Sequence, residues 1–161
     1  MKLKLLVAAA AVVALCAAGA AGAAKSAGVT MHLVEKDAGG NFVDNKPYAK
    51  PGSHAASIGD MFVFSSKLLT HANKQAGMLY GSCIAATAGN DPTFECTGTF
   101  TLAGGELALQ TVIRQTDKVT HIAIVGGTGA YEGARGSITS VSRGPNSPYS
   151  DDTIHLLPKG F

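Results

Sequence analysis

The stretch MLYGSCIAATAGNDPTFECTGTF, residues 78–100, alternates apolar and polar side chains on both sides of a turn. Centring that turn between Gly89 and Asn90 sets Cys83 opposite Cys96, Gly81 opposite Gly98 and Leu79 opposite Phe100. One face then carries Leu79, Gly81, Cys83, Ala85, Phe94, Cys96, Gly98 and Phe100. The other carries Tyr80, Ser82, Glu95, Thr97, Thr99 and Thr101, with Ile84 the exception. Successive strand side chains point to opposite faces, so such a hairpin has one wall against an apolar interior and one against water.

The same period recurs along the chain. Strands are expected at about Val29–Glu35, Met61–Ser65, Met78–Ala86, Phe94–Leu102, Glu106–Ile113, Val119–Val125, Ala134–Val141 and Thr153–Leu157. No segment beyond the N-terminal one keeps apolar residues at i, i+3, i+4 and i+7 for three turns. Eight short strands bounded by Gly, Pro, Asn and Asp predict an all-β fold, an eight-stranded antiparallel β-barrel or a sandwich. Two segments read as irregular, Asp37–Ile58 and Lys67–Ala76, and loops of that length are often binding loops.

The first residues stand apart from this pattern. Lys2 and Lys4 precede an unbroken apolar run from Leu5 to Ala18, followed by the small-residue sites Ala18-Gly19-Ala20 and Ala21-Gly22-Ala23. Residues 1–23 are therefore expected to be a signal peptide, leaving a barrel domain over 29–161 with no membrane span after processing and a secreted or periplasmic location. Cys16 follows Leu15, which is too large for a lipoprotein acylation site. Removing Lys2 and Lys4 with this segment takes the formal charge from +2 to 0, which leaves no basic field for nucleic acid. The remaining chain keeps two cysteines, Cys83 and Cys96, in a compartment where disulfides persist.

The run HIAIVGGTGAYEGARG, residues 121–136, invites a phosphate-binding reading. That reading fails on context. Gly129 and Gly133 have three residues between them rather than two, and the following Ser-Ile-Thr-Ser-Val-Ser is a β pattern with no βαβ unit after it. Gly126, Gly127, Gly129, Gly133 and Gly136 are read as structural glycines of a tight connection and a bending wall, and Arg135 as binding an anion or, the favoured reading, holding a neighbouring carboxylate. No H-E-x-x-H or C-x-x-C motif marks a metal site, and no G-x-S-x-G elbow supports a serine nucleophile. Cys83 and Cys96 have two readings: a cross-strand disulfide, or free thiols able to touch a ligand. Export and the hairpin register favour the disulfide.

Four segments carry a resemblance: GDMFVFSSKLL (59–69), GMLYGSCIA (77–85), FECTGTFTLAGGELALQ (94–110) and HIAIVGGTGAYEGARGSI (121–138). Together they resemble the allene oxide cyclase and dirigent superfamily, most closely its exported bacterial members. The resemblance implies an eight-stranded antiparallel barrel with an apolar cavity, a homotrimer as in plant members, and no cofactor. Members of the two branches cyclise a reactive fatty-acid epoxide or orient phenoxy radicals, acting through positioning and exclusion of water. Phe62, Phe64 and Ser66 fall where the plant cyclases have cavity residues, with Ser66 in place of an asparagine, and Cys83 matches a cavity cysteine. The cyclases' acidic residue on the first strand falls at His32 and a nearby asparagine at Val34, which argues against the allene oxide cyclase reaction itself.

The expected ligand cavity is lined by Phe62, Phe64, Ser66, Leu79, Cys83, Phe94, Cys96 and Phe100, and the expected ligand is a small hydrophobic or aromatic molecule. Three functions follow as expectations. The first is dirigent-like binding or orienting of such a molecule. The second is a cofactor-free cyclase or isomerase, with His32 or Cys83 as polar contact. The third is a barrel filled by its own side chains that acts through surface protein contacts.

Overall fold

A computed structural model of the protein describes residues 28–46, 55–114 and 116–158. The expected signal peptide lies outside them. Eight strands follow in chain order: β1 (Val29–Val43), β2 (Met61–Leu69), β3 (Gln75–Ala85), β4 (Thr93–Leu102), β5 (Gly105–Arg114), β6 (Val119–Gly127), β7 (Gly136–Ser142) and β8 (Tyr149–Leu156). Each pairs antiparallel with its neighbour in sequence, and β8 returns to β1, closing an eight-stranded barrel. Closure removes the sheet edges that an open array of short strands would expose.

The β3–β4 ladder has the register expected from alternation, with Cys83 opposite Cys96, Gly81 opposite Gly98 and Leu79 opposite Phe100. Ile84 points outward and is exposed. The glycine run is no dinucleotide turn: a single 3-10 turn, Gly129–Tyr131, joins β6 to β7. Gly129 sits there at φ +60, where a side chain is disfavoured and a Cβ would lie 2.5 Å from the Gly104 carbonyl oxygen.

Strand ends depart from expectation in two places that bear on the site. The segment read as an irregular loop from Asp37 continues as β1 to Val43. A bulge makes this possible: Asp37 pairs with Ser66 and Gly39 with Ser65, so Ala38 is the extra residue. The Asp37 carboxylate accepts a hydrogen bond from the Gly39 N–H at 2.8 Å, which holds the kink. The segment read as irregular from Lys67 likewise begins as strand, with β2 running on to Leu69 and β3 starting at Gln75. β8 begins at Tyr149, four residues earlier than expected.

One end of the barrel is solid. Leu33, Leu68, Leu79, Phe100, Leu107, Leu109, Ile124, Ile138 and Ile154 form one buried cluster. Among the described residues no helix is long and apolar enough to cross a membrane.

Candidate functional site

The opposite end is open. The end of β1, the start of β2, the end of β3, the start of β4 and the end of β5 surround a cavity of about 320 Å³, lined by Phe42, Ala56, Phe62, Cys83, Pro92, Phe94 and Ile113. Phe42 reaches it because the bulge resets the alternation of β1, bringing Phe42 opposite Phe62. Phe62 stacks on Phe64 with ring centroids 5.5 Å apart and planes 11° from parallel. Gly81 leaves room for this pair, since a Cβ there would lie 2.5 Å from the Phe64 ring. Cys83 and Cys96 are joined in a disulfide that ties β3 to β4 beside the cavity. Buried Asp60 holds the loop that delivers Ala56, its carboxylate accepting from the Asn45 N–H at 2.8 Å and the Ser57 N–H at 2.7 Å.

The other half of the open end is polar. Alternation from the buried Ile138 and Ile154 turns Ser140 of β7 and Asp152 of β8 into the barrel, and alternation from Leu33 does the same for Glu35. Asp152 lies directly across the ladders from Leu33 and Ser140, while Glu35 pairs with Ser150. The two carboxyls are thus diagonal neighbours on one inner face, close enough to interact. Asp152 is 2 % exposed, and neither carboxyl oxygen has a hydrogen-bond partner among the described residues.

Burial acts first on both acids. It pushes the Asp152 carboxyl up to about 7, helped by the charge of Glu35, with the Ser140 hydroxyl opposing from beyond hydrogen-bond geometry. Burial also raises Glu35; the Ser66 hydroxyl opposes that shift by hydrogen bonding and the Asp37 charge adds to it. A group that favours its protonated form beside one that ionises more readily is the arrangement general acid–base chemistry uses. The two carboxyls are electrostatically coupled, each charge opposing ionisation of the other.

The residues singled out in the sequence divide among three places. Phe62, Cys83 and Phe94 line the aromatic cavity. Phe64 stands next to it, Cys96 is bonded to Cys83, and Ser66 is buried beside Glu35. Leu79 and Phe100 lie deeper, in the packed cluster. His32 is on the outer wall, exposed, with Nδ1 3.3 Å from the Thr153 hydroxyl and its ring 6.4 Å from that of His71. The bonded cysteines leave no free thiol to touch a ligand. Arg135 donates from its guanidinium to the Ala134 carbonyl at 2.8 Å rather than to a carboxylate.

Sequence reasoning overlooked Glu35, Asp152 and Phe42. A signal existed for the first two: Glu35 shares the parity of Met31 and Leu33, and Asp152 that of Ile154 and Leu156. An acid in register with core residues is the pattern to search for.

The model of the dirigent-like protein family matches residues 31–156. No curated protein matches the sequence. Among solved structures, pyocyanin demethylase is similar at 29 % identity and a TM-score of 0.67, over 80 % of this chain and 100 % of its own. A pterocarpan synthase dirigent protein is similar at 18 % identity and a TM-score of 0.58, over 84 % of this chain and 99 % of its own. An exo-specific intermolecular Diels–Alderase shares the barrel at 14 % identity and a TM-score of 0.56, over 80 % of this chain and 99 % of its own.

Proposed function

The chain belongs to the dirigent-like protein family, and from that premise we propose that its barrel takes up a small hydrophobic or aromatic molecule at the open end and holds it in one orientation. The observation that carries this reading is the cavity walled by Phe42, Phe62 and Phe94 at the mouth of an otherwise packed barrel. Rigid aromatic faces bury a planar ligand at little entropic cost, and a dry wall restricts the directions from which a reactive partner can approach. A cavity at the mouth favours this reading over a barrel filled throughout.

The cofactor-free isomerase or cyclase reading has its own support in the acid pair. The protonated carboxyl delivers a proton to one atom of the ligand while the ionised one removes a proton from another, so the net change is an isomerisation and the pair is restored. Asp152 and Glu35 replace His32 and Cys83 as the polar contacts, because one of those faces outward and the other is bonded. The likeness to a protein named for demethylating pyocyanin also favours an enzyme.

Native mass spectrometry after incubation with phenolic and lipid extracts tests the binding reading. A bound small molecule is expected, and its loss is expected in Phe62→Ala and Phe94→Ala. Extracts that leave the protein unliganded would overturn it. For the enzyme reading, Asp152→Asn should retain the ligand and lose turnover; full turnover in that variant would remove the acid pair from the reaction.

Two further features complete the proposal. Residues 1–23 direct export, consistent with a disulfide stable in an oxidising compartment, and mass spectrometry of the exported protein should find a new N-terminus near residues 21–25. The barrel assembles as a homotrimer through the outer faces of β5–β7, where Val112, Val119, Val125 and Val141 are exposed. Light scattering should give three times the protomer mass.

A further inference from the structure

From the charge balance inside the barrel, we infer that the ligand selected at the open end is a planar aromatic cation. The inference rests on the reading of that end as a binding site and adds the ligand's charge to it. Phe42, Phe62 and Phe94 line the cavity, and at the same end of the barrel, outside that lining, Asp152 is a buried carboxyl with no hydrogen-bond partner among the described residues.

The sorting of charged side chains supports this. On the strand faces, every described Lys, Arg and His points away from the interior. His32 and Lys36 alternate outward around Glu35, Lys67 is exposed between Ser66 and Leu68, and His121 and His155 are exposed on the outer wall. Arg143 is spent outside, in an ion pair with Asp151. Glu95, Glu106 and Asp151 also face outward, but Glu35 and Asp152 are turned inside and Asp37 is exposed at the rim. An inward carboxyl in a low-dielectric interior, with no basic side chain turned inward beside it among the described strand residues, is costly to ionise until an external cation arrives.

The aromatic side suits the same ligand. Phe62, Phe64 and Ser66 share the inner face of β2, and the Ser66 hydroxyl lies close enough to Glu35 to affect its ionisation, so one strand connects the aromatic wall to the acids. Aromatic faces attract a delocalised cation through the ring quadrupole, more strongly once water is excluded. A carboxylate-bearing ligand meets repulsion from Glu35, Asp37 and Asp152, with no inward basic side chain among the described strand residues to offset it.

The test compares three bicyclic probes of nearly equal size: N-methylquinolinium, neutral 1-methylnaphthalene and anionic 1-naphthoate. Calorimetric titration into the disulfide-intact protein at pH 8 should show the cation binding at least ~10-fold more tightly than the neutral probe, with the anion weakest. In Glu35→Gln/Asp152→Asn, checked for folding by circular dichroism, the preference should collapse to within about 2-fold. In Phe94→Ala all bound probes should weaken together. Equal binding of cation and neutral probe in the native protein would overturn the charge inference and leave the cavity reading standing. A cation preference that survives the double substitution would overturn it too, since the attraction would then lie on the outer surface. Binding by none of the three, with the protein folded, would overturn the reading of the open end as a site for aromatic molecules, and this inference with it.

Discussion

The two ends of the barrel are built from the same strands and do opposite things. At the solid end, Phe100, Leu107, Ile138 and Ile154 are fully buried against one another. At the open end the same inward face carries carboxyls and hydroxyls on one side and half-exposed aromatic rings around a cavity on the other. Packing density explains the division. A filled end supplies the stabilisation of the fold, so the other end can hold a void and an unpaired acid whose cost the rest of the molecule offsets.

Substitutions at each end can break that contrast. Phe100→Ala removes a fully buried ring from the solid end and should cost about 3–5 kcal/mol in urea unfolding. A loss below 1 kcal/mol there would mean that the solid end is not what holds the barrel.

Asp152→Asn should act in the other direction. Folding raises this carboxyl from its ordinary 3.8 to about 7, so the folded chain keeps a proton that the unfolded chain has released. The contribution of Asp152 is therefore complete below about pH 4 and is lost as the pH rises through 7. The raised Glu35 adds to the same trend. The neutral amide removes the slope and should stabilise the protein at pH 8 by on the order of 2–4 kcal/mol, with no gain at pH 4. Denaturation at the two pH values checks this, and an equal effect at both would detach the acid from the interior.

The disulfide joins residues 13 apart beside the cavity, and Cys83→Ala/Cys96→Ala should cost ~2–3 kcal/mol. Thermal unfolding with and without reductant gives the same comparison in the native sequence. The smallest effect is expected at the mouth. Phe94→Ala should change stability by only about 1 kcal/mol, because its ring is half-buried against a void. It should weaken ligand binding much more than that.

The β3–β4 hairpin shows what could be read from residues alone. Its register follows from one turn position and an unbroken alternation, and from it follow the disulfide pairing and the outward Ile84. The first strand shows where such reading stops. Its alternation is broken at the Asp37–Gly39 bulge, so the inward positions change parity and Phe42 joins the mouth from a stretch that reads as loop. Glu35 sits on the legible side of that bulge. An acid in a strand nevertheless reads as solvent-facing until its neighbours across the barrel are known.

Local chemistry along the chain determined that this protein is all-β and antiparallel, which strands it has in outline, and which hairpin carries the covalent tie. Those properties depend on side-chain period and turn residues, which act over a few positions. Only the tertiary structure decided that β8 lies against β1, bringing Asp152 beside Glu35 from the far end of the chain. It also decided that one half of the interior is filled and the other is not. Both follow from closure, because the shear that joins the last strand to the first sets which inward residues share a level, and no local period encodes that offset.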